Sequence, residues 1–328
     1  MKYNKYIKAT FNVLLPFILG GGILYWMYRE YDFSRLGETI AEDMDWGWMA
    51  FSMVFGVLAQ VFRGLRWKQS LEPLDEHPRL MDCIHGVFIS YASSLIIPRS
   101  GEFTRCGVLK RYDDVNFSKA LGTVLSERIV DSVIMLVMIA LVIVFQVHAF
   151  DIFFDKTGTN VMDKLHSFTA MGYIVTVLCL IVTCVFFWIA FRRFTFLARL
   201  KAAMANVKEG FLSLSGVKNK WLYAFNSVMI WVSYFLHFWI AFYCFDFSAD
   251  LGFTVAIVSF VVGSISVIVP TPNGAGPWHF SVKTILILYG VASVNAETFV
   301  FIVFALQTAL VPLLGLFSLV CLGLRRRS

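Results

Sequence analysis

Two stretches of this chain end an apolar run at a proline and then change character at once. The first, Ser93–Arg105, reads Ser-Ser-Leu-Ile-Ile and then Pro98, Arg99, Ser100, Gly101, Glu102, Phe103, Thr104 and Arg105. The second, Ser266–Pro277, reads Ser-Val-Ile-Val and then Pro270, Thr271, Pro272, Asn273, Gly274, Ala275, Gly276 and Pro277. A proline removes a backbone donor and stops the incoming helix, leaving carbonyls that hydrocarbon cannot satisfy. If the chain lies in a membrane, both stretches must therefore line a cavity.

Composition puts it in a membrane. Of the 328 residues, 58% are hydrophobic and only 15% charged, and the mean hydropathy is +0.71. That is too little polar surface to wrap a soluble core. Several apolar segments reach the roughly 20 residues that a spanning helix needs and lack the alternation of barrel strands. An all-α polytopic membrane protein follows. The net charge of +6 is the ordinary signal of basic loops on one side rather than a nucleic-acid surface.

Spans are expected near residues 9–28, 46–65, 129–147, 168–191, 221–245 and 298–322, in one membrane domain covering 1–328. Trp46, Trp48 and Trp67 are expected at the two interfaces as an aromatic belt. Arg63 and Arg66 are read with a basic cytoplasmic loop. The run Cys83–Pro98 is short and flanked by basic residues on both sides, which suits a segment that enters and returns. Leu251–Pro270 and Trp278–Gly290 form either a second such hairpin or two full spans, and charge counting does not choose between them. On the first version, two halves, about 9–147 and about 168–322, each hold three spans and one broken hairpin. They start on opposite sides, so they form an inverted repeat. Residues 193–217 read as a basic amphipathic helix on the inner leaflet. Both termini fall on the cytoplasmic side.

At the two turns the expected chemistry is anion binding. Ser100 is placed to cap a helix whose first turn holds Glu102, and Gly276 to cap one that begins at Pro277. Two helix N-termini would then face the bilayer centre, each carrying about half a positive charge. Arg99 and Arg105 add guanidinium forks that match phosphate oxygens, with Glu102 orienting one of them or taking up a proton when the site empties. Pro98, Gly101, Pro270, Asn273, Gly274 and Gly276 supply close backbone approach. Arg99, Glu102 and Arg105 also fit a solvated inner loop that sets topology.

Glu127 and Asp131 share a helix face with Arg128 beside them. Ionisable groups near hydrocarbon cost about 2.5–3.5 kcal/mol each at mid-helix, so they pair or line a pathway. Lys283, isolated in an apolar stretch, is expected to snorkel or to meet an acid such as Glu127 or Asp131. His279 is a candidate proton handler or an interfacial side chain. The six cysteines are scattered without metal spacing, and no nucleotide loop or catalytic constellation stands out. No cofactor or metal is expected, and the chain reads more readily as a transporter than as an enzyme.

The segment Leu95–Arg105, with its proline, Gly101-Glu102 and Arg105, is followed by Ser126-Glu127-Arg128-Ile129-Val130-Asp131. Together these resemble the motifs of the lysylphosphatidylglycerol synthase transmembrane, or flippase-like, family. Val269–Gly276 looks like its late proline and glycine motif, with Asn273 where a glycine is usual and with Pro277 and His279 where an aliphatic and an acid are common. The resemblance implies lipid translocation in a bacterial cytoplasmic membrane, with anionic lipid as partner and room for a separate lipid-modifying enzyme. It carries no aminoacyl-transferase domain within this sequence, so lysyl transfer is not expected. A membrane-embedded glycosyl- or aminoacyl-transferase and a small-solute transporter are the alternatives.

Overall fold

A computed structural model describes residues 18, 20–29, 37, 39–97, 100–157, 216–269 and 271–325. Pro98, Arg99, Pro270, the expected span 168–191 and nearly all of the amphipathic stretch 193–217 lie outside the described residues. The chain forms two compact units, residues 1–135 with 207–328, and residues 136–206. All that follows concerns the first.

Among the described residues the protein is helical and has no strand. Among the described residues three helices are long and apolar enough to cross a membrane: α1 (Trp46–Leu71) and α8 (Ser293–Arg325), with α5 (Lys220–Ile240) between them in sequence. Between these lie α2 (Leu80–Ile96), α3 (Gly101–Tyr112), α4 (Phe117–Thr157), α6 (Gly252–Ser266) and α7 (Pro277–Leu288). Asp45 starts α1 by accepting the backbone N–H groups of Gly47 and Trp48 at 2.7 and 3.3 Å. Asn219 starts α5 in the same way, through the N–H of Leu222. Both caps satisfy donors that a helix start leaves orphaned.

Helices α1 and α5 run antiparallel along most of their length. Asp45 N–H donates to Cys244 O at one end, Ser52 and His237 meet further along, and Asn226 donates to Gln69 near the other end. Gly56 allows this approach, since a Cβ there would lie 2.9 Å from the His237 ring. Gln307 of α8 reaches both Ser52 Oγ and His237 O, so one polar knot ties the three long helices together.

The hairpin of α2 and α3 opens toward the end where α8 stops. There Arg325 pairs with Asp82 at the start of α2 and lies 3.7 Å from Asp113 just past α3. Beside it, Trp67, Leu71, Val87, Leu109 and Val124 form a buried apolar cluster that joins α1, α2, α3 and α4. Trp67 is therefore a core residue and not part of an interfacial belt, whereas Trp46 and Trp48 are exposed. The hairpin of α6 and α7 opens toward the end where α8 starts. It packs through Phe260 and Trp278 on Phe238 of α5, which meets Phe242 and Phe299 edge to face. The turn Pro272–Gly274 of this second hairpin packs against α2 of the first.

Candidate functional site

The turn into α3 is stitched by short side chains. Gly101 N–H donates to Ser94 Oγ at 3.2 Å, and Ser93 and Ser94 both donate to Ser90 O. Ser100 precedes α3, but its hydroxyl donates back to Ser93 O at 3.0 Å and makes no cap bond to the new helix. The expected Ser100 cap is thus replaced by a bond that closes the turn. Only a glycine fits at 101, because a Cβ there would lie 2.3 Å from Ser90 O.

One turn further into α3 begins a charged cluster with almost no access to solvent. Arg63 and Arg66 come from α1, Arg105 from α3, and Glu127 and Asp131 from α4, each no more than 6% exposed. Arg63 donates to Asp131 at 2.8 Å, and Arg66 bridges Asp131 at 2.7 Å and Glu127 at 3.3 Å. Arg105 donates to the other Glu127 oxygen at 3.1 Å and lies over the Trp67 ring, 4.7 Å from its centre. Arg66 also reaches Ser227 on α5. Arg63 lies over the Tyr234 ring, 6.0 Å from its centre, and the Tyr234 hydroxyl shares a hydrogen bond of 2.7 Å with that of Tyr91.

The pairing does not balance. Three guanidinium groups meet two carboxylates, a surplus of one positive charge. Arg63 Nε, Arg66 Nη2 and both Nε and Nη2 of Arg105 are buried without a hydrogen-bond acceptor among the described residues. A buried, unsatisfied donor costs about 1–3 kcal/mol, more when charged. As a purely structural brace the cluster would be poor, since well-packed apolar residues often do as well or better. As a cradle for an incoming oxyanion it has the right charge and free donors in fork geometry.

The cluster connects to the surface through one further pair. Arg128 donates to Glu102 at 3.0 Å, and both are part-exposed, beside the exposed apolar residues Phe103 and Ile129. Of the two partners expected for Glu102, Arg99 lies outside the described residues and Arg105 pairs with Glu127 instead, while Glu102 holds Arg128. Arg63 and Arg66 were read as loop residues. Their burial inside α1 is the largest departure from the sequence reading, and the unpaired-looking acids Glu127 and Asp131 were the signal that buried cations had to lie opposite.

The second turn contributes backbone. Asn273, Gly274 and Gly276 have φ of 51, 78 and 92°. Asparagine is among the few non-glycine residues that visit the left-handed region at low cost, which explains how it stands where a glycine is usual. Its Nδ2 also donates to Thr308 Oγ1 of α8 at 2.9 Å. Pro312, four residues on, leaves the Thr308 carbonyl without its helical donor, so the turn docks where α8 is already weakened. Gly276 precedes Pro277 at the start of α7 as expected, and its N–H approaches His279 Nδ1 at 3.4 Å. His279 is buried among Tyr28, Trp278 and Phe304. Gly20, overlooked in the sequence, packs on this turn, where a Cβ would lie 3.1 Å from Ala275 O.

Lys283 does not meet Glu127 or Asp131. It pairs with Glu297 at the start of α8, because α7 runs away from the arginine cluster toward the opposite end.

These motifs have a counterpart among known families. A family model described as the lysylphosphatidylglycerol synthase TM region matches residues 13–315. The chain belongs to this family. No curated protein and no solved structure matches it. Membership, with three helices of spanning length and composition, makes this lysylphosphatidylglycerol synthase TM-region chain a membrane protein of lipid handling. Both motif blocks quoted from its sequence fall inside the matched range. The first supplies Arg105, Glu127 and Asp131 to the buried cluster, and the second forms the left-handed turn packed against α2.

Proposed function

We propose that the chain is a translocase for lipids with an anionic phosphate headgroup, a phospholipid or a polyprenyl phosphate, in a bacterial cytoplasmic membrane with both termini on the cytoplasmic side. In this reading α2–α3 and α6–α7 are re-entrant hairpins from opposite leaflets, related as an inverted repeat. The observation that carries it is the surplus positive charge of Arg63, Arg66 and Arg105, with four guanidinium nitrogens lacking an acceptor among the described residues.

A phosphodiester brings one negative charge and two unesterified oxygens, which match that surplus and those donors. It reaches them from the bilayer past the Arg128–Glu102 pair, whose apolar neighbours Phe103 and Ile129 face acyl chains. The phosphate competes with Glu127 and Asp131 for the arginines, so binding is reversible and not a deep trap. Rocking of the two hairpin turns against each other then changes the leaflet from which the cradle is reached. Asn273, Gly274 and Gly276 give the second turn a surface of backbone that a headgroup can pass closely.

The experiment is reconstitution into liposomes with fluorescent phosphatidylglycerol and a quencher added outside. The protein is expected to move the lipid faster than empty liposomes, and Arg105→Gln to slow it by about tenfold to a hundredfold, as loss of one charge-assisted hydrogen bond implies. Movement no faster than in empty liposomes, or wild-type rates in both Arg66→Gln and Arg105→Gln, would refute the proposal.

A further inference from the structure

A cavity of about 420 Å³ lies at the end of the molecule where α7 stops and α8 starts, away from the arginine cluster. Its polar floor is Lys283, Glu297, Ser293 and Arg29, and its walls include Trp26 and Phe280. Lys283 pairs with Glu297 through Oε1, the same atom that Ser293 Oγ reaches at 3.4 Å. Tyr28 OH donates to Glu297 O at 3.5 Å and ties the segment of residues 20–28 to α8.

We infer that this cavity is a phospholipid headgroup site, separate from the buried cluster, for a phosphodiester whose headgroup carries a hydrogen-bond donor. Three observations lead there. An ammonium has three donors, and one satisfies Glu297, which leaves Lys283 able to hold a phosphate oxygen at the same time. Glu297 Oε2 is the acceptor for an amine or hydroxyl at the far end of the headgroup. The walls are amphipathic in the sense a lipid requires: Trp26, Phe280 and Val294 line the cavity beside its polar floor and are exposed apolar surface. A water-soluble ligand would leave that surface bare.

The depth fits as well. Trp46 and Trp48, both exposed, start α1 at this same end, where aromatic residues mark the level of lipid headgroups. The site needs no translocation, so it stands or falls independently of the function proposed above.

Native mass spectrometry of the detergent-purified full chain, offered equal amounts of phosphatidylethanolamine, phosphatidylglycerol and phosphatidylcholine, tests it. Ethanolamine and glycerol headgroups have donors and choline has none. We expect one bound lipid retained about tenfold better for the first two than for phosphatidylcholine, a difference within reach of a single hydrogen bond to a charged group. Glu297→Gln, which keeps the volume, should erase that preference, and Lys283→Met should lose the lipid. Arg105→Gln should leave it bound, which separates this site from the buried cluster. If Lys283→Met does not fold, Glu297→Gln still decides. Equal retention of all three lipids by the wild type, or an unchanged preference in Glu297→Gln, overturns the inference.

Discussion

The turn between α2 and α3 is stitched by serine hydroxyls and backed by five buried charges, whereas the turn between α6 and α7 has no charged residue and takes its shape from three left-handed residues. The first recruits long charged side chains from two other helices, α1 and α4. The second presents backbone and docks against α2 and α8. The division of labour teaches which lesions each tolerates. Side-chain charge can be tuned at the first turn but leaves costly orphans, and the second can change its side chains but not its backbone angles.

The largest expected effect breaks the charged side. Asp131→Ala leaves Arg63 and Arg66 without their shared carboxylate, and removing one partner of a buried pair costs about 3–5 kcal/mol. Thermal unfolding in detergent checks this, and a shift no larger than that of a surface substitution would contradict it. Gly101→Ala comes next. Its Cβ would overlap Ser90 O at 2.3 Å, which pushes α3 off α2 at a cost of about 1–3 kcal/mol or more.

On the backbone side, Asn273→Ala should cost about 1–2 kcal/mol for the left-handed conformation, with the Thr308 hydrogen bond lost in addition. Asn273→Gly relieves the first and loses only the second, so it should stay within about 1 kcal/mol of wild type. If the two variants melt together, backbone angle does not govern this turn.

The smallest effect is a pH dependence at the open end of the first hairpin. Burial, and then Asp82 beside it, push the Asp113 carboxyl up to about 6. In the unfolded chain an aspartate titrates near 3.9. Between those values the folded state binds more protons, so stability falls as pH rises. The contribution is fully present below about pH 4 and lost through about pH 6. Asp113→Asn should flatten that part of a melting-temperature profile, and an unchanged slope would contradict the assignment.

The two turns were legible from sequence because proline and glycine act locally, through dihedral angles and missing donors. Gly276 before Pro277 needed no tertiary information. The arginine cluster was only half legible. Glu127 and Asp131 stood out as acids in an apolar helix, but their partners Arg63 and Arg66 lie more than 60 positions away and mimic the basic residues that flank a span. The Ser100 cap and the Glu102–Arg105 pair failed for a related reason: each partner close in sequence competed with one brought up by packing, and packing prevailed. Lys283 found Glu297 across the α7–α8 connection, which hydropathy does not reveal. Gly20 and Pro312 matter only through what packs on them.

The most direct test of the central claim is an experimental structure of the protein in nanodiscs made with phosphatidylglycerol. The account predicts phosphate density within hydrogen-bond distance of at least two of Arg63, Arg66 and Arg105. Those three arginines sealed and empty, with every ordered phosphate elsewhere, would contradict it.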